Sequence, residues 1–273
     1  MTDISRRFLS RERIAQIANE VLGNLLPGQA EQDLYEQSAV QRYAVGSRRV
    51  VDNGGLTRIF YYAHIHAGIT AGLGRGRVMM SSDDGTERGA FLGAQTAGAK
   101  TVTWTAVAAI AANQFKNGFV LLQGGFVREI KSHPAAAAPG AEITLTLYDP
   151  LPETIGAGRY GILLENPYAN VYNSGSAGVH PNAFGPVMGV TGFDVTPDYY
   201  TWLQAWGPCG VIATPATLGD AANEMELSHG VNPGDEVGIA GGHGYQVIGY
   251  SMVANAINWD NENFMIVDLR IRR

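Results

Sequence analysis

The chain has 273 residues, 35 of them glycine, and only 16% are charged, which suits short strands joined by many turns better than long solvated helices. A net charge of −6, with no basic block interleaved with aromatics, excludes nucleic-acid binding over the whole surface. No apolar run reaches the roughly 18 residues of a membrane helix, and a single cysteine, Cys209, excludes an internal disulfide framework.

From Ser5 to Leu26, apolar Ile14, Ile17, Val21 and Leu25 recur at three- and four-residue steps behind Phe8, with Arg11, Arg13 and Glu20 between them. That period predicts an amphipathic helix, ended by Pro27-Gly28. Two readings stay open for it: a docking arm, or a helix packed on its own domain. The same residues lack the apolar core and cleavage pattern of a secretory signal, so a soluble chain that is not exported by the secretory route is expected. Residues 28 to 41 read as a polar connector. Arg42 to Val51 and Leu56 to Ile65 then read as strands joined at Asp52-Asn53-Gly54-Gly55. Residues 66 to 95 are rich in Gly and polar groups and read as a loop-heavy excursion, with a boundary near Gly93 to Gly98.

Thr101 to Trp104 opens a second body, and the alanine-rich stretch Ala106 to Ala112 is either a helical turn or a small-residue strand. The clearest pairing follows: Gly118 to Gln123 and Phe126 to Lys131 flank Gly124-Gly125, a pair able to take the positive φ angles of a tight hairpin. Glu142 to Tyr148 alternates Ile143, Leu145 and Leu147 with Glu142, Thr144 and Thr146, which predicts a half-buried antiparallel strand. Further short strands are expected at Gly161 to Glu165, Val187 to Val190, Tyr199 to Trp206, Cys209 to Ala213, Glu224 to Leu227, Val237 to Ile239, Tyr245 to Met252 and Met265 to Ile271. The expected fold class is therefore mainly β: antiparallel barrel or sandwich lobes carrying an N-terminal amphipathic helix and arm. The expected divisions are 1–95 for attachment and oligomerisation, 96–180 for a first β lobe and 181–273 for a second. Leu145, Leu147, Trp202 and Val247 should point inward.

Candidate chemistry is thin. His64 and His66 share one strand face, as two metal ligands would, but no third ligand is identifiable. Asp83, Asp84 and Glu87, and Asp260, Asn261, Glu262 and Asn263, are rich in oxygen but lack the spacing of a calcium loop and read as turns. Ser132-His133 and Ser228-His229 are sequence neighbours, which point to opposite faces of a strand, and no nucleophile elbow occurs. Gly72 to Gly76 lacks the third spaced glycine of a nucleotide loop. No catalytic residue, metal site or cofactor is expected. Tyr200, Trp202 and Trp206 lie in phase and read as core aromatics or as a platform for sugar rings or a partner.

Charge is unevenly spread: residues 1 to 150 hold 15 basic and 13 acidic groups, residues 151 to 273 hold 4 and 12. Arg supplies 16 of the basic residues, and Arg is the cation favoured in protein interfaces. Arg6, Arg7, Arg11, Arg13, Arg48, Arg49 and Arg58 are therefore the expected attachment residues, with the acidic half facing solvent.

Several stretches point to one family. They are Ala112-Asn113-Gln114-Phe115-Lys116-Asn117-Gly118, then Arg128 to Pro134 with Leu145-Thr146-Leu147-Tyr148-Asp149-Pro150-Leu151, then Asn166-Pro167-Tyr168. Tyr199-Tyr200-Thr201-Trp202 through Trp206-Gly207-Pro208, Val247-Ile248-Gly249 and Val267-Asp268-Leu269 complete the set. From about Gly98 to the C-terminus the chain resembles tailed-bacteriophage virion structural proteins of the type that decorate or cement capsids. The resemblance implies a non-enzymatic capsid decoration or cement protein on the virion exterior, made in the host cytoplasm. Its expected partners are the major capsid protein and further copies of itself, a trimer by preference, with no nucleic acid, membrane or cofactor. The alternative is a capsid- or tail-fibre module that binds a host receptor or glycan through Tyr200, Trp202 and Trp206. A hydrolase would need His133 or His229 beside a serine and a carboxylate.

Overall fold

The computed structural model describes residues 25–69, 74–81, 86–91, 94–122, 125–173, 186–213, 226–229, 236–238, 246–252, 257–259 and 262–271. The helix expected over Ser5 to Leu26 lies almost wholly outside the described residues, as do Arg6, Arg7, Arg11 and Arg13. Every named element is a strand. In order these are β1 (Arg48–Asp52), β2 (Thr57–His64), β3 (Val78–Ser81), β4 (Thr86–Phe91), β5 (Thr101–Thr105), β6 (Phe119–Leu121), β7 (Val127–Ser132), β8 (Glu142–Leu147) and β9 (Tyr160–Leu164). There follow β10 (Val171–Asn173), β11 (Val187–Thr191), β12 (Tyr200–Ala213), β13 (Glu226–His229), β14 (Glu236–Gly238), β15 (Val247–Ser251), β16 (Ile257–Trp259) and β17 (Glu262–Arg270). The mainly β expectation holds, and two mostly antiparallel sheets form two compact units.

The larger unit is built on β12. The first half of this 14-residue strand pairs with β2 on one side and β11 on the other, and from Trp206 to Ala213 it pairs with β17. Two separate strands were expected here, split at Trp206-Gly207-Pro208, but one strand runs through. Gly207 makes this possible: its φ of 83° bends the chain, and a Cβ there would overlap the Thr57 carbonyl oxygen. Gln204 fixes the bend, its Nε2 lying 3.1, 3.3 and 2.8 Å from the carbonyl oxygens of Trp206, Gly207 and Pro208.

An aromatic cluster fills one face of this sheet. Tyr43 and Tyr62 meet Trp202 edge-on, with ring centroids 4.9 and 5.1 Å away, and Phe60 joins them. Residue 32 meets both tyrosine hydroxyls: Tyr62 donates to Gln32 Oε1 at 2.8 Å and Tyr43 accepts the Gln32 amide at 3.3 Å, while Gln32 Nε2 donates to the carbonyls of Glu36 and Tyr200. Burial pushes the Tyr62 hydroxyl up to about 12, so it stays a donor. The polar connector expected over residues 28 to 41 thus sends one fully buried side chain, Gln32, into this cluster.

Ser81–Val171 forms the second unit. Its strands pair in a ring, β4-β5-β8-β7-β6-β9, closing a six-stranded antiparallel barrel. β8 alternates as its sequence predicts, with Ile143, Leu145 and Leu147 buried. Trp104 is completely buried in the barrel. Gly89 makes room, because a Cβ there would overlap the Trp104 ring. The region expected to be loop between 66 and 95 thus contains β3 and β4. The barrel enters the chain between β3 and β10, which are neighbours in the larger sheet.

Candidate interaction surface

Barrel strands alternate inward and outward residues, and the outward ones divide sharply by chemistry. On β5 and β8 they are Thr101, Thr103, Thr105, Glu142, Thr144 and Thr146, paired with one another across the two strands. On β7, β6 and β9 they form two rows of mostly apolar side chains. Val127 pairs with Leu121 and Leu121 with Ile162, and in the next row Glu129 pairs with Phe119 and Phe119 with Leu164. Tyr160, two residues before Ile162 on the same face, is 79% exposed, and Val127 is 50% exposed. Phe119 and Leu164 are also exposed, with Leu121 and Ile162 half-buried. A contiguous apolar face of this kind is the candidate interaction surface of the barrel. Burial and the nearby Asp149 charge raise the carboxyl of Glu129, the polar member of the rows.

A second, smaller group lies in the larger unit. Met252 and Ile266 are exposed side by side, the Met252 amide donating to the Ile266 carbonyl at 2.9 Å. Four residues farther along β17, Arg270 pairs with Asp268 at 2.6 Å and lies over Trp206 at 4.8 Å from the ring centre.

The candidate chemical residues are dispersed. His64 Nε2 lies 3.1 Å from Asp198 Oδ1, while His66 Nδ1 accepts the Gly68 amide. Among the described residues no group of three His, Cys, Asp or Glu side chains could hold a metal. His133 is 4% exposed; its Nε2 accepts the Phe115 amide at 2.9 Å and its Nδ1 faces the Pro134 carbonyl at 2.8 Å. This assigns the Nδ1–H tautomer, and burial lowers the ring's proton affinity, so His133 is a neutral brace with no lone pair for a serine. The side chains of Asp83, Asp84, Glu87, Ser228, His229, Asp260, Asn261, Glu262 and Asn263 lie outside the described residues, as does Gly72.

Of the in-phase aromatics, Trp202 is 1% exposed and cannot stack on a sugar, whereas Tyr200 and Trp206 are partly exposed. Val247, expected inward, is exposed, and its neighbour Ile248 is buried instead. Among the expected attachment residues, Arg49 pairs with Glu31 at 3.1 Å and donates to the Gln32 carbonyl, and Arg58 donates to the Tyr35 hydroxyl at 2.7 Å. Arg48 is exposed on β1. Sequence reasoning missed the barrel's apolar face. Tyr160 precedes the run it named, and the outward role of Phe119 and Val127 appears only once strand phase is fixed.

No protein-family model, curated protein or solved structure matches the chain in comparison.

Proposed function

We propose that the chain is a non-enzymatic structural component of a tailed-phage virion that binds and stabilises the capsid lattice from outside, as a homo-oligomer. The observation that carries this reading is the apolar outer face of β7, β6 and β9, with Val127, Phe119, Tyr160 and Leu164 exposed on a rigid barrel. In this reading that face lies against the major capsid protein while the threonine-lined strands β5 and β8 face water. Each contact need only be modest, because copies linked to one another on a repeated lattice gain effective concentration without new contacts. The sequence resemblance supplies the virion; the barrel face supplies the means of attachment. The fibre or glycan alternative is weakened by the burial of Trp202, which removes the middle ring of its platform.

The experiment adds purified protein back to particles that lack it. The double variant Val127→Glu with Tyr160→Glu places charge on outward positions and should leave thermal unfolding within about 1 kcal/mol of wild type. It should weaken particle binding by about tenfold or more, since charge at the centre of an apolar contact must be desolvated unpaired. Binding at unchanged affinity by the folded variant would refute the assignment of this face.

A further inference from the structure

We infer that the outer edge of β1 is a self-pairing edge, through which two copies of this chain join their larger sheets about a two-fold axis. β1 bonds β2 alone, in an unbroken register from Arg48↔Tyr61 to Asp52↔Thr57. The Tyr62 amide donates to the Ser47 carbonyl at 2.9 Å, which sets the phase. By alternation, Arg49 and Val51 direct their backbone groups to β2, whereas Arg48, Val50 and Asp52 direct theirs away from the sheet. Among the described residues nothing pairs with that outer edge. Natural sheets guard such an edge with proline, a bulge or inward-pointing charge. β1, Arg-Arg-Val-Val-Asp, has neither proline nor bulge; its inward charge, Arg49, is already held over Trp202, and its outward-pairing ends, Arg48 and Asp52, are of opposite sign.

Charge identifies the occupant. Antiparallel pairing of β1 with a second β1, centred on Val50, sets Val50 opposite its own copy, and the same register sets Arg48 of each strand opposite Asp52 of the other. The pairing residues are those whose amides and carbonyls point outward, so the ladder and the ion pairs need the same register. Arg48, Val50 and Asp52 share one face of the strand, and both terminal residues are exposed. Asp52 Oδ1 accepts the amides of Gly54 and Gly55 at 3.2 and 3.3 Å, which orients the carboxylate and leaves Oδ2 for the partner's guanidinium. On the opposite face Arg49 is held by Glu31 and Gln32 and takes no part in the charge match. Of the sheet's two other ends, β10 is buried at all three of its residues and β16 is only three residues long, so β1, with five, is the longest open edge among the described residues. A two-fold contact makes pairs, in place of the trimer expected from sequence. It concerns only the chain's own second copy and stands or falls whatever the capsid partner proves to be.

Sedimentation of the full-length protein, from micromolar to millimolar chain, tests this without any particle. Wild type should form a reversible dimer. Arg48→Asp and Asp52→Arg each place like charges opposite one another at both ends of the ladder, and each should weaken the dimer by about tenfold or more while the far-ultraviolet spectrum is kept. An equimolar mixture of the two restores both opposite-charge pairs and should dimerise again as a mixed species. Asp52→Asn, which keeps the oxygen that caps the turn, should weaken the dimer in the same direction if Asp52→Arg does not fold. A wild type that stays monomeric throughout, an Arg48→Asp protein that dimerises as tightly as wild type, or folded complementary variants that do not pair would each overturn the inference.

Discussion

His133 shows how one side chain can couple folding to pH. Its proton affinity in the folded chain is lowered by burial, so the unfolded chain takes up a proton more readily below the ordinary value of 6.5. Stability contributed by the neutral ring is whole above 6.5 and declines as pH falls through that value towards the lower folded value. Glu129 works in the opposite sense: its raised carboxyl favours the folded state as pH falls from its folded value towards 4.5. The difference between wild type and His133→Gln isolates the histidine. The variant, whose amide oxygen can still accept the Phe115 amide, should cost about 1 to 2 kcal/mol at neutral pH. It should also lose part of the acid-side decline in melting temperature; parallel melting curves for both proteins across pH 5 to 8 would contradict this. The sequence showed Ser132 beside His133 and raised a nucleophile pair. Only the fold reveals that both ring nitrogens already bond backbone.

At the scale of elements, the bend in β12 is the most exacting local requirement. Gly207→Ala adds a Cβ that overlaps the Thr57 carbonyl at a positive φ, and should destabilise the protein by about 3 kcal/mol in denaturant titration. A loss below about 1 kcal/mol would mean that the bend yields easily. Gln204→Ala should cost about 1 to 3 kcal/mol by leaving carbonyls of the bend without their donor, and an unchanged midpoint would show that solvent replaces it. Strands with strict alternation were legible beforehand: β8 matches Glu142 to Leu147, and the β1–β2 and β6–β7 hairpins follow their turn residues. β12 was read as two strands because Gly-Pro usually ends one, and Gln204 gives no sign in sequence that it bridges the break. β3 was missed because Val78, Met79 and Met80 are all buried and show no alternation. β4 was missed because its inward position beside Trp104 is occupied by Gly89, which shows no apolar period.

For the whole molecule, the barrel's insertion between neighbouring strands predicts independence. Ser81–Val171 closes its own ring of strands around its own buried cluster, from Val102 to Leu163. Expressed alone, this span should unfold cooperatively by calorimetry; a broad, non-cooperative melt would show that it depends on the larger unit. Insertion also explains why the charge split along the chain is a poor guide to surfaces. β1 and β2 from the basic first half share one sheet with β12 and β17 from the acidic second half. What sequence could convey was class and strand cadence; the barrel's apolar face arises from strand phase around a closed ring, which composition does not encode. The proposal that this chain coats a capsid lattice is tested most directly by its copy number relative to the major capsid protein in purified particles of the tailed phage proposed as its source. The account predicts a fixed ratio in proportion to the lattice subunits. A handful of copies per particle, or none, would contradict it.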